Sequence, residues 1–254
     1  KLSDLESINP DMPFPIVALE LITEQLERCL HLYNQLRNNY TIELLHNSRV
    51  SFRKLQSLMN AFNPYLIEDS SLKNKSDKIL YTIRDIIRLH SKPRTYEVCF
   101  EIVNEYLEKF KGNLALNLIS GEMRIRKVRA LEKMYKSEIF CGFKNDSKKI
   151  MRFLSIDIRK NIFGEIKKMS FGNIYSNIII TEFSRSILET DVKFFPSDMT
   201  TFIHSYRIAL KPLRYMFDIG EGTFGNRFDI LREKLKELVE MLGDFNDFNI
   251  TYDL

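Results

Sequence analysis

Two short stretches carry the residues best suited to chemistry. HNSRVSFRKLQ runs from His46 to Gln56, and HSYRIALKPLR runs from His204 to Arg214. The chain has only 4 histidines, and two of them open these stretches. His204 follows His46 by 158 residues (204 − 46 = 158). The same step takes Arg49 to Arg207, Arg53 to Lys211 and Leu55 to Leu213 without a gap. Guanidinium, ammonium and imidazolium groups are cationic hydrogen-bond donors. Gathered together, they suit the holding of an anion.

Such groups line up only if a helix positions them. At about 100° per residue, with His46 at zero, Arg49 falls near 300° and Arg53 near 340°. Phe52, Leu55, Met59 and Phe62 then occupy roughly 160–240°, a separate apolar face. The second copy places His204, Arg207, Lys211 and Arg214 beside Leu210, Leu213 and Phe217 in the same way. A histidine, an arginine three residues on and a base seven residues on span about 10 Å, a row that suits an extended anion. No Asp or Glu occurs from Leu44 to Ile67, and none from Met199 to Phe217. An ordinary solvated helix mixes signs and forms i,i+4 pairs. Here acids from another helix, or an external anion, must neutralise the bases. The competing explanation is packing, with arginine stems covering apolar surface.

The rest of the chain sets the frame. Its 254 residues are enough to bury a sizeable core. Hydrophobic residues make up 44% and charged residues 28%, ordinary globular values. The formal charge of +4 is mild, so the position of the charges matters more than their sum. Only 9 Gly and 7 Pro argue against a turn-rich sandwich or barrel. Cys29, Cys99 and Cys141 form no ligand pattern and are expected as buried, reduced thiols. No apolar run reaches the roughly 18 residues of a membrane helix, and no targeting signal is visible. No metal or other cofactor is implied.

Periodicity predicts an all-α fold whose second half repeats the plan of the first. Residues 1–13 are expected as a loose N-terminal segment, with one domain over 14–254 and halves at 14–167 and 173–254. One helix starts at Phe14, and a second covers about Thr41 to Phe62, where Asn63-Pro64 disfavours continuation. A third has Ser76 as its N-cap candidate and Pro93 beyond its end, and YEVCFEIVNEYLEKF forms another, up to Gly112. MRIRKVRALEKMYKSEIF reads as one basic helix with apolar Ile125, Val128 and Leu131, and KKIMRFLSIDIRKNIF reads as helical too. In the second half, Ser197 or Asp198 is expected to cap a helix that ends near Ile219. The last helix is expected to end near Gly243.

HNSRVSFRKL and HSYRIALKPLRY resemble the two signature helices of the CHAD family, the histidine-bearing α-helical domains. MLGDFNDFN is similar to that family's Leu-Gly-x-x-Asn-Asp segment, and TIRDII near Arg84 to a degraded first-half version. The resemblance runs from about Phe14 to the end. It implies two repeated helical bundles, roughly four helices each, flanking a basic channel that binds inorganic polyphosphate without chemistry of its own. The contacts it implies are His46, Arg49, Arg53 and Lys54 from one half. The other half supplies His204, Arg207, Lys211 and Arg214. Gln56 stands where the family has a base, Pro212 lies inside the second signature, and Lys54 falls off the main stripe.

The expected protein is therefore a cytoplasmic, non-enzymatic polyphosphate binder, associated with polyphosphate granules and not with membranes. Two other readings compete. One is an enzyme acting on phosphate anhydrides, for which Asp85 and Asp247 are candidates by position alone. No Walker loop, H-E-x-x-H or G-x-S-x-G pattern accompanies them. The other is a helical adaptor or nucleic-acid binder working through the basic MRIRKVRALEKMYK stretch. That stretch has a single aromatic, Tyr135, near its end, and no RRM, KH or zinc motif beside it.

Overall fold

The computed structural model describes residues 8–162, 168–191 and 199–252. All of its regular elements are helical, as the periodicity predicts. The first half holds α1 (Phe14–Asn38), α2 (Ile42–Leu66), α3 (Ser70–Lys109), α4 (Leu114–Lys136) and α5 (Glu138–Arg152). A π-helical segment, Phe153–Ile158, extends α5. The second half holds α6 (Phe171–Asp191), α7 (Met199–Ile219) and α8 (Asn226–Tyr252). The split of helices is thus five and three. The expected boundary falls partly on residues 163–167, and Ser197 and Asp198 also lie outside the described residues.

Proline explains most differences from the sequence reading. α2 continues through Pro64, whose ring costs the bond to the carbonyl of Asn60. Asn60 is exposed, so water can take that carbonyl. Asn63, buried, donates from Nδ2 to Ser76 Oγ at 2.6 Å and holds the last turn. α3 runs unbroken through Pro93 and joins what the sequence divides into two helices. A mid-helix proline costs about 3 kcal/mol, which packing on both sides must offset. Pro93 is itself buried, and the preceding turn is anchored by His90, which donates from Nδ1 to the Ile86 carbonyl at 2.7 Å. Ser76 is a buried residue inside α3; the N-cap is Asp69, whose side chain accepts from Leu72 N. α7 also passes through its proline, Pro212, without a break.

Four further expectations change. The basic middle stretch divides at Ser137, and Ile125 and Val128 face solvent while Met123 and Met134 are buried. Lys127 turns inward to pair with the buried Glu97 at 3.1 Å, which rotates the i, i+3 apolar series outward. α8 continues nine residues past Gly243, because Asn246 is buried against α7 and keeps the chain helical. Residues 10–13 are pinned rather than loose: Phe171 N donates to Met12 O and Gly172 N to Pro10 O, both at 2.7 Å. A Cβ at Gly172 would lie 2.9 Å from Pro10 Cβ, so this close strap needs glycine. Of the cysteines, Cys29 and Cys99 are buried and Cys141 is exposed. Burial pushes the Cys29 thiol up to about 12, which keeps it protonated.

The repeat is visible in three dimensions. Adding 158 to α1, α2 and α3 gives the starts of α6, α7 and α8 to within two residues. Each helix packs against its counterpart: α1 on α6, α2 on α7 and α3 on α8. The main core joins both halves, with Phe14 against Phe62 at 5.5 Å and stacked on Phe171 at 6.4 Å. Leu210, Leu213 and Val239 form a smaller second core between α7 and α8. These contacts fix α2 and α7 side by side, with their basic stripes turned to one cleft.

Candidate functional site

The cleft lies between α2, α3, α7 and α8 and holds about 630 Å³. All eight residues singled out from the sequence line it: His46, Arg49, Arg53, Lys54, His204, Arg207, Lys211 and Arg214. α3 adds Arg94, which sequence reasoning missed because it follows Pro93, where the helix was expected to have ended. Asp218 of α7 and Glu240, Asp244 and Asp247 of α8 also line the cleft. Seven Lys and Arg side chains therefore meet four carboxylates. Of the two acids considered for catalysis, Asp247 is at the cleft, whereas Asp85 pairs with Arg88 at 3.2 Å elsewhere on α3. Among the described residues no group of three His, Cys, Asp or Glu is placed to hold a metal ion.

The acids are spent unevenly. Lys54 pairs with Asp218 at 2.9 Å and so ties α2 to α7. Arg214 pairs with Glu240 at 3.3 Å, and Arg207 reaches Asp247 only at 4.0 Å. His204 donates from Nδ1 to Asn246 Oδ1, which fixes the ring and leaves Nε2 as its remaining nitrogen. Arg94 pairs with Glu101 at 3.6 Å. By contrast, no carboxylate of the described residues lies within 4.0 Å of Arg49, Arg53 or Lys211. Arg49 Nε donates to Ser91 Oγ at 3.4 Å, a long and neutral contact.

Unspent donors mark the same place. The Nε atoms of Arg53, Arg207 and Arg214 are buried without a hydrogen-bond partner. Such an unsatisfied donor costs about 1–3 kcal/mol, and more when charged. The electrostatics agree. Burial, then the Arg207, Arg53 and Arg49 guanidinium groups, push Lys211 down to about 6. Burial and then Arg53 bring Arg49 to about 10. Burial also lowers Arg207, an effect that Asp247 opposes. At the rim, burial of the ring and then Arg94, Arg49, Lys211 and Arg214 lower His46. An anion among these groups would restore their protons, since opposite charge favours the charged form.

His90 is a different case. It is fully buried against Phe52 and Phe140, and burial brings it to about 4. Its neutral ring donates from Nδ1 and can accept at Nε2 from Ser48 Oγ at 3.3 Å. It is a packed core histidine behind the cleft. The departures noted in the sequence have plain locations. Gln56 is half-buried and outside the cleft lining. Pro212 deprives the carbonyl of Ile208, a cleft residue, of its helical donor.

The fold and cleft define an all-α, internally duplicated helical domain with a cation-rich groove between its halves. A family model, the CHAD domain, matches residues 20–254, and the chain belongs to that family. No curated protein matches. Among solved structures, the crystal structure of the CHAD domain from the plant Ricinus communis is similar with a TM-score of 0.71 and 16% identity, over 96% of this chain and 78% of that one. PptA from Streptomyces chartreusis is similar with a TM-score of 0.57 and 12% identity, over 94% of this chain and 92% of that one. At these identities the two structures speak for the fold alone.

Proposed function

We propose that the cleft binds inorganic polyphosphate and performs no chemistry on it. The observation that carries this reading is the central cluster of Arg49, Arg53, Arg207 and Lys211. Its cations repel one another, and three cleft arginines keep buried Nε donors unused. A chain of phosphates presents about one negative charge per unit and several acceptors, which answers both needs. Arginine forks grip phosphate oxygens in pairs, and lysine adds a point charge. Each charge-assisted bond is worth about 1.5–3 kcal/mol, so a few of them give micromolar binding or better. Binding of this kind weakens steeply with salt. His46 and Lys211 would take up protons as the anion enters.

The test is retention on immobilised long-chain polyphosphate at moderate salt. The Arg49→Ala, Arg53→Ala, Arg207→Ala and Lys211→Ala quadruple variant should lose retention; unchanged retention would overturn the reading. Magnesium-dependent phosphate release by the wild type would instead favour a phosphate-anhydride hydrolase. Displacement of polyphosphate by short RNA would favour a nucleic-acid module. In that case α4 is the other basic surface to test, although its Lys127 is engaged with Glu97 and its Arg126 with Glu122. A cytoplasmic location and association with polyphosphate granules belong to the same proposal. No helix among the described residues is long and apolar enough to cross a membrane.

A further inference from the structure

α4 carries the basic stretch that the cleft does not use, and its outward side is apolar. Leu114, Leu118, Ile125 and Val128 are 72%, 67%, 48% and 47% exposed. With Gly121 they stand at successive steps of four, three, four and three. At about 100° per residue these five positions fall within about 80° of arc. The opposite side of α4 holds the buried Met123 and Met134 and the inward-turned Lys127, and it packs on α3. α4 therefore has two apolar sides, and only one of them is covered by the described residues.

Steps of four and three repeat every seven residues, the spacing of a coiled-coil seam, with Leu118 and Ile125 at a and Leu114, Gly121 and Val128 at d. Gly121 adds an independent sign. A glycine weakens the interior of an exposed helix relative to alanine. Among the described glycines φ is positive only at Gly112, Gly222 and Gly225, and a Cβ at Gly121 would meet nothing within 4 Å. Neither the backbone nor a contact within the described residues calls for glycine there. It leaves a hollow between Leu118 and Ile125, a hole for a large side chain of a facing helix.

The chemistry of that helix follows from the flanks. Arg124, at g, lines one side of the seam; Arg129, at e, lines the other, with Lys133 behind it, and all three are exposed. None has a carboxylate within 4.0 Å among the described residues. The acids beside the stripe are already matched within α4, Glu122 by Arg126 at 2.7 Å and Glu132 by Lys136 at 3.9 Å. A second copy of α4 aligned in parallel would set Arg124 against Arg129, like charge against like. A lipid surface needs a broad apolar face, whereas Asn117, Glu122 and Arg129 keep this one narrow. Both points favour a helix with carboxylates at its own flanking positions.

We propose that the outer face of α4 is a docking seam for an acidic amphipathic helix of a partner protein, with a large apolar side chain over Gly121. This does not depend on the polyphosphate reading. The probe is a fluorescein-labelled four-heptad peptide with isoleucine at a, leucine at d and glutamate at e and g, whose own pairing the glutamates oppose. Its anisotropy is followed as the full chain is added. Saturable binding is expected, at least tenfold weaker for the same peptide with lysine at e and g. Leu118→Asp plus Ile125→Asp, both at exposed positions, should weaken it at least tenfold with an unchanged thermal melt. Arg124→Glu plus Arg129→Glu should reverse the preference in favour of the lysine peptide. The quadruple cleft variant should bind the acidic peptide as the wild type does. No saturable binding, no preference between the peptides, or indifference to either pair of substitutions overturns the proposal. Loss of binding in the cleft variant also overturns it, because the peptide would then sit in the cleft. So does binding to phosphatidylserine vesicles, or a dimer in light scattering, that Leu118→Asp plus Ile125→Asp abolishes; the face would then serve a membrane or a second copy of the chain.

Discussion

Arg49 and Arg53 of α2 face the cleft with no carboxylate of the described residues in reach, whereas Arg207 and Arg214 of α7 lean on Asp247 and Glu240 of α8. The helices are counterparts, 158 residues apart, and both stripes are free of acids in their own sequence. The difference comes from the third helix of each half. α8 supplies two carboxylates and the Asn246 amide, while α3 offers Arg49 only the hydroxyl of Ser91. Apolar residues differ in burial too: Ile83 of α3 is closed off from solvent, whereas Met241, Phe245 and Phe248 of α8 are exposed. Duplication has kept the frame but not the ion pairs: Arg207, Arg214 and Lys54 have carboxylate partners, whereas Arg49, Arg53 and Lys211 have none among the described residues.

The difference in burial gives the largest contrast to test. Ile83→Asp should cost more than about 4 kcal/mol by placing a carboxylate in a closed core. Met241→Asp, at an exposed position of α8, should stay within about 0.5 kcal/mol. Chemical denaturation of both variants checks this, and equal losses would mean that the two positions are not differently buried.

The cleft gives the next effect. Losing Arg49 and Arg53 together should weaken polyphosphate binding by about 100-fold or more, at about 1.5–3 kcal/mol per contact. Losing Arg207 and Arg214 should cost roughly tenfold, because those cations are already partly neutralised. Calorimetric titration at fixed salt decides, and an inverted order would mean that the paired cations contribute more than the unpaired ones.

A pH effect follows. Lys211 is pushed down to about 6 and His46 is lowered, so both lose protons in the free cleft as pH rises towards 8. Binding should tighten several-fold from pH 8 to pH 6, and Lys211→Arg, always charged, should flatten that slope. Without ligand the sign concerns stability. An unfolded lysine binds its proton up to about 10.4, the folded one only to about 6, so the unfolded state holds more protons between them. The contribution of Lys211 to stability should therefore rise with pH across that window. Lys211→Met should raise the melting temperature at pH 7 while weakening binding; a lower melting temperature would remove Lys211 from the strained cluster.

The smallest effect belongs to the acids. Glu240→Gln frees Arg214 and should strengthen binding about two- to threefold, since a part-exposed pair is worth little. No gain would mean that Glu240 positions Arg214 and does not compete with the ligand.

How much of this was legible depended on whether the signal was local. The 3.6-residue period and the gapless step of 158 gave the helices, the repeat and seven of the cleft residues; Lys54, off the stripe, came with the family resemblance alone. Pro64 and Pro93 signal helix ends through a proline's local cost, but the Asn63–Ser76 contact and the His90 bond to the Ile86 carbonyl keep the chain helical there. Arg94 was hidden for that reason. Gly243 misled in the same way, with α8 carried past it by the contact of Asn246 with His204.

Sequence alone determined which faces of α2 and α7 are basic and which are apolar, because a helix converts spacing directly into direction. It also left those stripes without acids of their own. Only the tertiary structure decided which bases are neutralised, by bringing Asp218, Glu240 and Asp247 to some and not to others. It decided as well that burial and neighbouring guanidinium groups lower Lys211, and that Ile83 is buried while Met241 is exposed. Burial and charge pairing depend on what lies across a few ångströms of space, and no spacing along one helix records that.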